Sequence, residues 1–196
     1  SRRIVRRTPE GKEETIADRC GDRPIGMPND LWLAPDGAIY FTIPRTNERR
    51  AKVVPPEAVN GTVCRISPDG KTVTDVGVGL KSPNGIVGTR DGKWLFVADP
   101  GSQKCWRYAL GKDGRLSDQQ IAARQSSDGL AVDEHGNLYV TGKDGVVVYS
   151  PQGEQITVIP VPERPANMKF GGADGRTLFI TARTGIYAVE RNVRGD

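Results

Sequence analysis

Short apolar runs recur along this chain, each bounded by Gly, Asp, Asn or Pro. Within a run, apolar and aromatic residues follow one another as in Ile39-Tyr40-Phe41, a pattern that suits strands rather than helices. Helical spacing is nearly absent; one turn near Pro56–Val59 is the only helix the pattern offers. Asp36-Gly37, Asp69-Gly70, Asp91-Gly92, Asp113-Gly114, Asp144-Gly145 and Asp174-Gly175 all sit between strand-like runs and predict tight hairpin turns. The stretch from Ser126 onward shows the pattern most clearly. It predicts strands over Leu130–Asp133, Asn137–Thr141, Val146–Ser150 and Gln155–Ile159. The opening segments "RIVRRT" and "EETIAD" predict two further strands within residues 1–18.

The pattern repeats. "MPNDLWLAPDGAIYFT" (Met27 to Thr42), "SPNGIVGTRDGKWLFVAD" (Ser82 to Asp99), "SSDGLAVDEHGNLYVTG" (Ser126 to Gly142) and "PANMKFGGADGRTLFITA" (Pro165 to Ala182) follow one template. A small residue or Pro comes first, then Asn or Asp, an apolar run, a Gly turn, and an alternating aromatic and β-branched run. The entrance residues are Asn29, Asn84, Asp128 and Asn167, roughly 40–55 residues apart, a period that marks a propeller of short-stranded blades. One such unit cannot bury both of its faces, so neighbours must stack. The expected fold is therefore all-β: residues 1–196 form a single, partial β-propeller domain. It is an incomplete arc of about four and a half four-stranded blades. Residues 1–18 supply the outer strands of an incomplete leading blade. Residues 44–61 form a Pro-rich insertion loop, a length usual for lids, binding loops or disordered segments.

If the run after each entrance is the innermost strand, the four entrance residues face one axis at one mouth. Their amide and carboxylate oxygens suit a hard cation such as Ca²⁺, Mg²⁺ or Mn²⁺. The same residues could equally hold turns through their own hydrogen bonds. Asp99, at the end of a strand, is expected to be structural.

Composition narrows the chemistry. The 24 Gly and 14 Pro agree with many turns. The net charge of +4 is scattered apart from the Arg-rich start, which argues against a nucleic-acid partner. No run approaches the ~18 apolar residues of a membrane span. No signal-peptide pattern is visible, and the compartment stays open between cytoplasm and periplasm. Cys20, Cys64 and Cys105 lack zinc-like spacing and are expected to be free thiols in strands. His135, the only histidine, falls in a turn, which disfavours a Ser-His-Asp or Cys-His nucleophile.

The four quoted segments, above all "PANMKFGGADGRTLFITART", resemble the senescence marker protein/gluconolactonase family over nearly the whole chain. The resemblance implies a six-bladed propeller that opens a lactone with one divalent cation on its axis. Calcium is the first expectation, with zinc, magnesium or manganese as alternatives. It implies that Asn84 and Asp128 are metal ligands, that Asp128 is also the catalytic base or water activator, and that Asn29 binds substrate. Asn167 matches a family position and is assigned to the channel wall. The family's Glu ligand comes from a first blade that this chain lacks; none of Glu10, Glu13 or Glu14 has the required context. Met27 stands where some members carry a substrate-gripping Arg, and Ile43 where close bacterial relatives carry Asp. The implied partner is a small-molecule lactone, with neither nucleic acid nor membrane. Three expectations follow for the short arc: a fragment of a longer protein, an oligomer or partner chain that completes the ring, or self-closure with "EETIAD" joining the last blade. A non-catalytic propeller that binds a ligand or protein at the same mouth is the alternative reading.

Overall fold

The Asp-Gly dipeptides do build the turns, and their side chains show how. The carboxylates of Asp36, Asp69, Asp91, Asp113 and Asp174 each accept the backbone N–H two residues on, from Ala38, Lys71, Lys93, Arg115 and Arg176. This local bond mimics a backbone turn and reverses the chain between strands. Asp144-Gly145 behaves differently. Gly145 opens a strand, and a side chain there would lie 2.2 Å from the carbonyl oxygen of Ile159.

The structure is a computed structural model and describes residues 2–45, 52–77 and 79–196. Those residues form strands, turns and loops, with no helix among them. Residues 46–51 of the expected insertion loop lie outside the described part. The anticipated helical turn near Pro56–Val59 is a simple turn that ends in a parallel bridge between Val59 and Ile25.

Two hairpins lead the chain. β1 (Ile4–Arg7) pairs with β2 (Glu13–Ala17), and β3 (Arg19–Cys20) with β4 (Arg23–Pro24). Four antiparallel sheets follow, arranged as propeller blades. The first contains β5 (Leu31–Leu33), β6 (Ile39–Ile43), β7 (Thr62–Ile66) and β8 (Val73–Asp75). The second contains β9 (Ile86–Gly88), β10 (Trp94–Asp99), β11 (Lys104–Leu110) and β12 (Leu116–Ala123). The third contains β13 (Leu130–Val132), β14 (Leu138–Thr141), β15 (Gly145–Tyr149) and β16 (Gln155–Pro160), within a residue or so of the expected bounds. The last sheet has three strands, β17 (Pro165–Gly171), β18 (Thr177–Ala182) and β19 (Ile186–Glu190), where four were expected. β2 pairs with β1 and does not join this sheet, so "EETIAD" does not close the ring.

Stacking explains the apolar pattern. Successive residues of a strand point to opposite faces. Tyr40 therefore packs with Trp32 and Leu95 towards the second blade, while Phe41 packs with Ile25 and Cys64 towards the leading hairpins. Leu138 and Val140 face the second blade, and Tyr139 faces the last, edge-on to Phe170. Each large side chain buried in this way contributes about 1.5–3 kcal/mol. The last blade is apolar on both faces but covered on one. Leu178 and Ile180 are buried, while Phe179 is 42% and Ile186 75% exposed.

Candidate functional site

The first strands of the blades, β5, β9, β13 and β17, lie side by side in that order. They line an axial cavity of about 370 Å³ whose walls include Trp32, Val87, Leu130 and Phe179 and whose polar groups include Asp30, Asn167, Lys169 and Thr181. A larger cleft of about 540 Å³ lies between the first two blades, lined by Arg65, Asp75, Asp113 and Arg115. It holds none of the entrance residues, whereas the axial cavity is lined by Asn167 and by Asp30, Ile86 and Leu130, each one or two positions past Asn29, Asn84 and Asp128, so the axial mouth is the better candidate.

Glycine lets the entrances meet. A side chain at Gly85 would lie 2.3 Å from the carbonyl oxygen of Asp128, and one at Gly129 would lie 2.4 Å from the side-chain oxygen of Asn167. Glycine after Asn84 and after Asp128 is thus what allows adjacent blades to touch at this level. The result is a direct bond between two predicted site residues. The Asn84 amide nitrogen donates to the Asp128 carboxylate at 2.9 Å, across the boundary of the second and third blades. Asn167 sits against Gly129, next in the series, with its side-chain oxygen accepting the Met168 N–H. Asn29 is exposed just ahead of β5, and its backbone N–H bonds to the Thr42 carbonyl.

Threonines at the ends of the second strands hold these entrances. The Thr141 hydroxyl accepts the N–H groups of Asp128 and Gly129 and bonds the Ser127 hydroxyl. Thr42 accepts the Asp30 N–H and donates to the Asn84 carbonyl at 2.6 Å, joining the first blade to the second. Thr181 donates to the Asn167 carbonyl. The second blade uses Asp99 nearby. Its buried carboxylate accepts the N–H groups of Lys81 and Ser82 ahead of Asn84, which is a structural role.

Asp30 went unnoticed in the sequence, although it follows Asn29 directly. Its carboxylate accepts the N–H groups of Leu31 and, in the next blade, Ile86. Burial pushes its pKa above the ordinary carboxylate range, against the opposing pull of those two N–H groups and of Lys169. The repeated "FT", "VT" and "IT" endings of the second strands were a legible sign of the threonine role.

Glu13 and Glu14 stand on the outer hairpin, where they bond Arg7 and Arg6. They are not at the mouth. Among the described residues no group of three or more His, Cys, Asp or Glu gathers to hold a metal. The donor set at the mouth is nonetheless hard. Asp128 offers a carboxylate, and Asn84, whose nitrogen is spent on Asp128, keeps its side-chain oxygen as a donor.

Residues 1–184 match the family described as SMP-30/Gluconolactonase/LRE-like region. The chain belongs to this family. A gluconolactonase of Zymomonas mobilis is 29% identical over 215 residues, covering 100% of this chain and 59% of that protein. The pentonolactonase XacC of Haloferax volcanii is 29% identical, covering 92% of this chain and 61% of its own length. The solved gluconolactonase of Xanthomonas campestris superposes with a TM-score of 0.81 at 29% identity, covering 100% of this chain and 66% of that one. This family member thus spans about three fifths of the length of the curated relatives it matches. The superposition agrees with the propeller read from the repeat and with the lactonase type that the resemblance implied.

Proposed function

We propose that the axial mouth opens a lactone ring by hydrolysis, with the help of one divalent cation. The observation that carries this reading is the Asn84–Asp128 bond, which joins the two expected ligand positions from different blades. The names of the relatives, gluconolactonase and pentonolactonase, support the substrate class.

Asn84 and Asp128 would hold the cation through oxygen; calcium is the first candidate, and zinc, magnesium or manganese the alternatives. Bound there, it would supply Lewis-acid polarisation of a carbonyl. The chain's own residues do the rest. The Asn84 amide fixes the orientation of the Asp128 carboxylate. Asp128 takes a proton from the attacking water as that water adds to the lactone carbonyl carbon. The ring C–O bond then breaks, Asp128 returns its proton to the departing ring oxygen, and the product leaves as a hydroxy acid. Asn29, exposed at the first-blade entrance, would bind the substrate hydroxyls, and Asn167 would close the wall beside Asp128. No histidine or cysteine is required.

Acid release from a sugar lactone tests this reading. Asp128→Ala is expected to lower kcat/KM by about 100-fold or more, the range for loss of a general base, while the melting curve stays close to that of the parent. Equal rates for parent and variant would contradict the role of Asp128.

A further inference from the structure

Cys20 and Cys64, on different sheets, meet in the core. The Cys64 thiol donates to the Cys20 sulfur at 2.7 Å, and both residues are buried, among Ile25, Phe41 and Val59. Spacing along the chain predicts three separate free thiols; the fold brings these two together across 44 positions of chain. Cys105 stands apart, with its thiol on the Gln125 carbonyl in the second blade.

We propose that Cys20 and Cys64 are a disulfide-forming pair, oxidised by exchange with a small-molecule disulfide of the glutathione class, whose bond anchors the leading hairpins to the first blade. The location gives the bond a consequence. β3 and β4 are two residues long, and the chain that leaves them runs through Ile25 and Gly26 straight to Asn29 and Asp30 at the mouth. This segment is held by the Ile25 N–H on the Asp18 carbonyl and the Gly26 N–H on the Val59 carbonyl. A covalent tie at Cys20 fixes its origin against β7.

Access comes through the small hairpin. Arg19, Gly21, Asp22 and Arg23 around Cys20 are exposed, so opening this hairpin presents Cys20 first. The bond from Cys64, aided by Arg23 nearby, draws the Cys20 thiol below its ordinary range, while that same contact and burial push Cys64 up. Burial pushes Cys105 up to about 12, and its thiol meets a backbone carbonyl rather than a second sulfur. The steps balance. The Cys20 thiolate attacks glutathione disulfide, forms a mixed disulfide and releases one glutathione. The Cys64 sulfur then attacks the Cys20 sulfur, forms the Cys20–Cys64 bond and releases the second. Two electrons and two protons pass from the protein thiols to the two glutathione molecules.

The test equilibrates the reduced chain with a graded series of glutathione and glutathione disulfide. It reads intact mass, the non-reduced peptide map and the melting temperature. The expected result is loss of the mass of two hydrogen atoms, a peptide linking Cys20 to Cys64, and a melting temperature raised by about 10 °C, as a closed loop of this length gives in a chain of this size. Cys105→Ala should form the same link, and Cys20→Ala should not. Unchanged mass, stable glutathione adducts, links through Cys105, or a Cys20–Cys64 link that leaves melting unchanged would each overturn the proposal. None of these readouts depends on catalysis, so the result stands apart from the lactonase reading.

Discussion

Asp30 shows how much one carboxylate can bear at this mouth. It bonds two backbone N–H groups, one in its own blade and one in the next, and burial keeps its pKa raised. The folded state therefore holds this proton more tightly than the unfolded chain does. The associated stability is complete below the ordinary carboxylate pKa of about 4 and is lost as pH rises through the raised value. Relative to Asp30→Asn, the parent's urea midpoint should fall as pH rises through that acid window; parallel curves would contradict the assignment. Gly85 makes a different demand. A methyl group there meets the Asp128 carbonyl oxygen at 2.3 Å, so Gly85→Ala should cost about 1–3 kcal/mol in urea unfolding. A change within roughly 0.5 kcal/mol, the usual range of neutral surface substitutions, would show that the blades do not meet as described. "PNG" and "SDG" displayed both the polar residue and its glycine. What they could not display was that the glycine serves the approach of the neighbouring blade.

At the scale of the strand, each entrance depends on a hydroxyl one strand away. Thr141 accepts two N–H groups and bonds Ser127, so Thr141→Val removes all three bonds at nearly constant volume. Buried donors left without partners cost about 1–3 kcal/mol each. The variant should unfold at clearly lower urea, and a midpoint equal to the parent's would remove Thr141 from the account. Strand positions were legible because alternation and Asp-Gly turns are local signals: β13 to β16 fall within a residue or so of expectation. β3 and β4 were not, since two residues carry no periodicity. Their pairing is set instead by packing around Cys20 and Ile25. The approach of Cys20 to Cys64 was hidden for the same reason. It is a product of blade stacking, and spacing along the chain does not reveal it.

For the molecule as a whole, the repeat in the sequence foretold the arc and its axis, while the missing strand of the last blade left no trace in that pattern. The uncovered face of the last blade leaves apolar surface. Phe179 and Ile186 on the last blade, and Ile156 and Val158 on β16, are exposed large hydrophobics. Large apolar side chains left open to solvent favour association. Sedimentation should show a weight-average mass that rises with concentration and falls back when Ile186 is changed to Lys; a monomer at every concentration in both proteins would contradict this. The central claim is that the joined Asn84 and Asp128 form the cation-binding centre of a lactone hydrolase. Calorimetric titration of calcium into the metal-stripped chain tests it most directly. The account predicts one ion bound per chain, with the binding heat lost in both Asn84→Ala and Asp128→Ala. Absence of binding in the parent, or binding unchanged in the two variants, would contradict it.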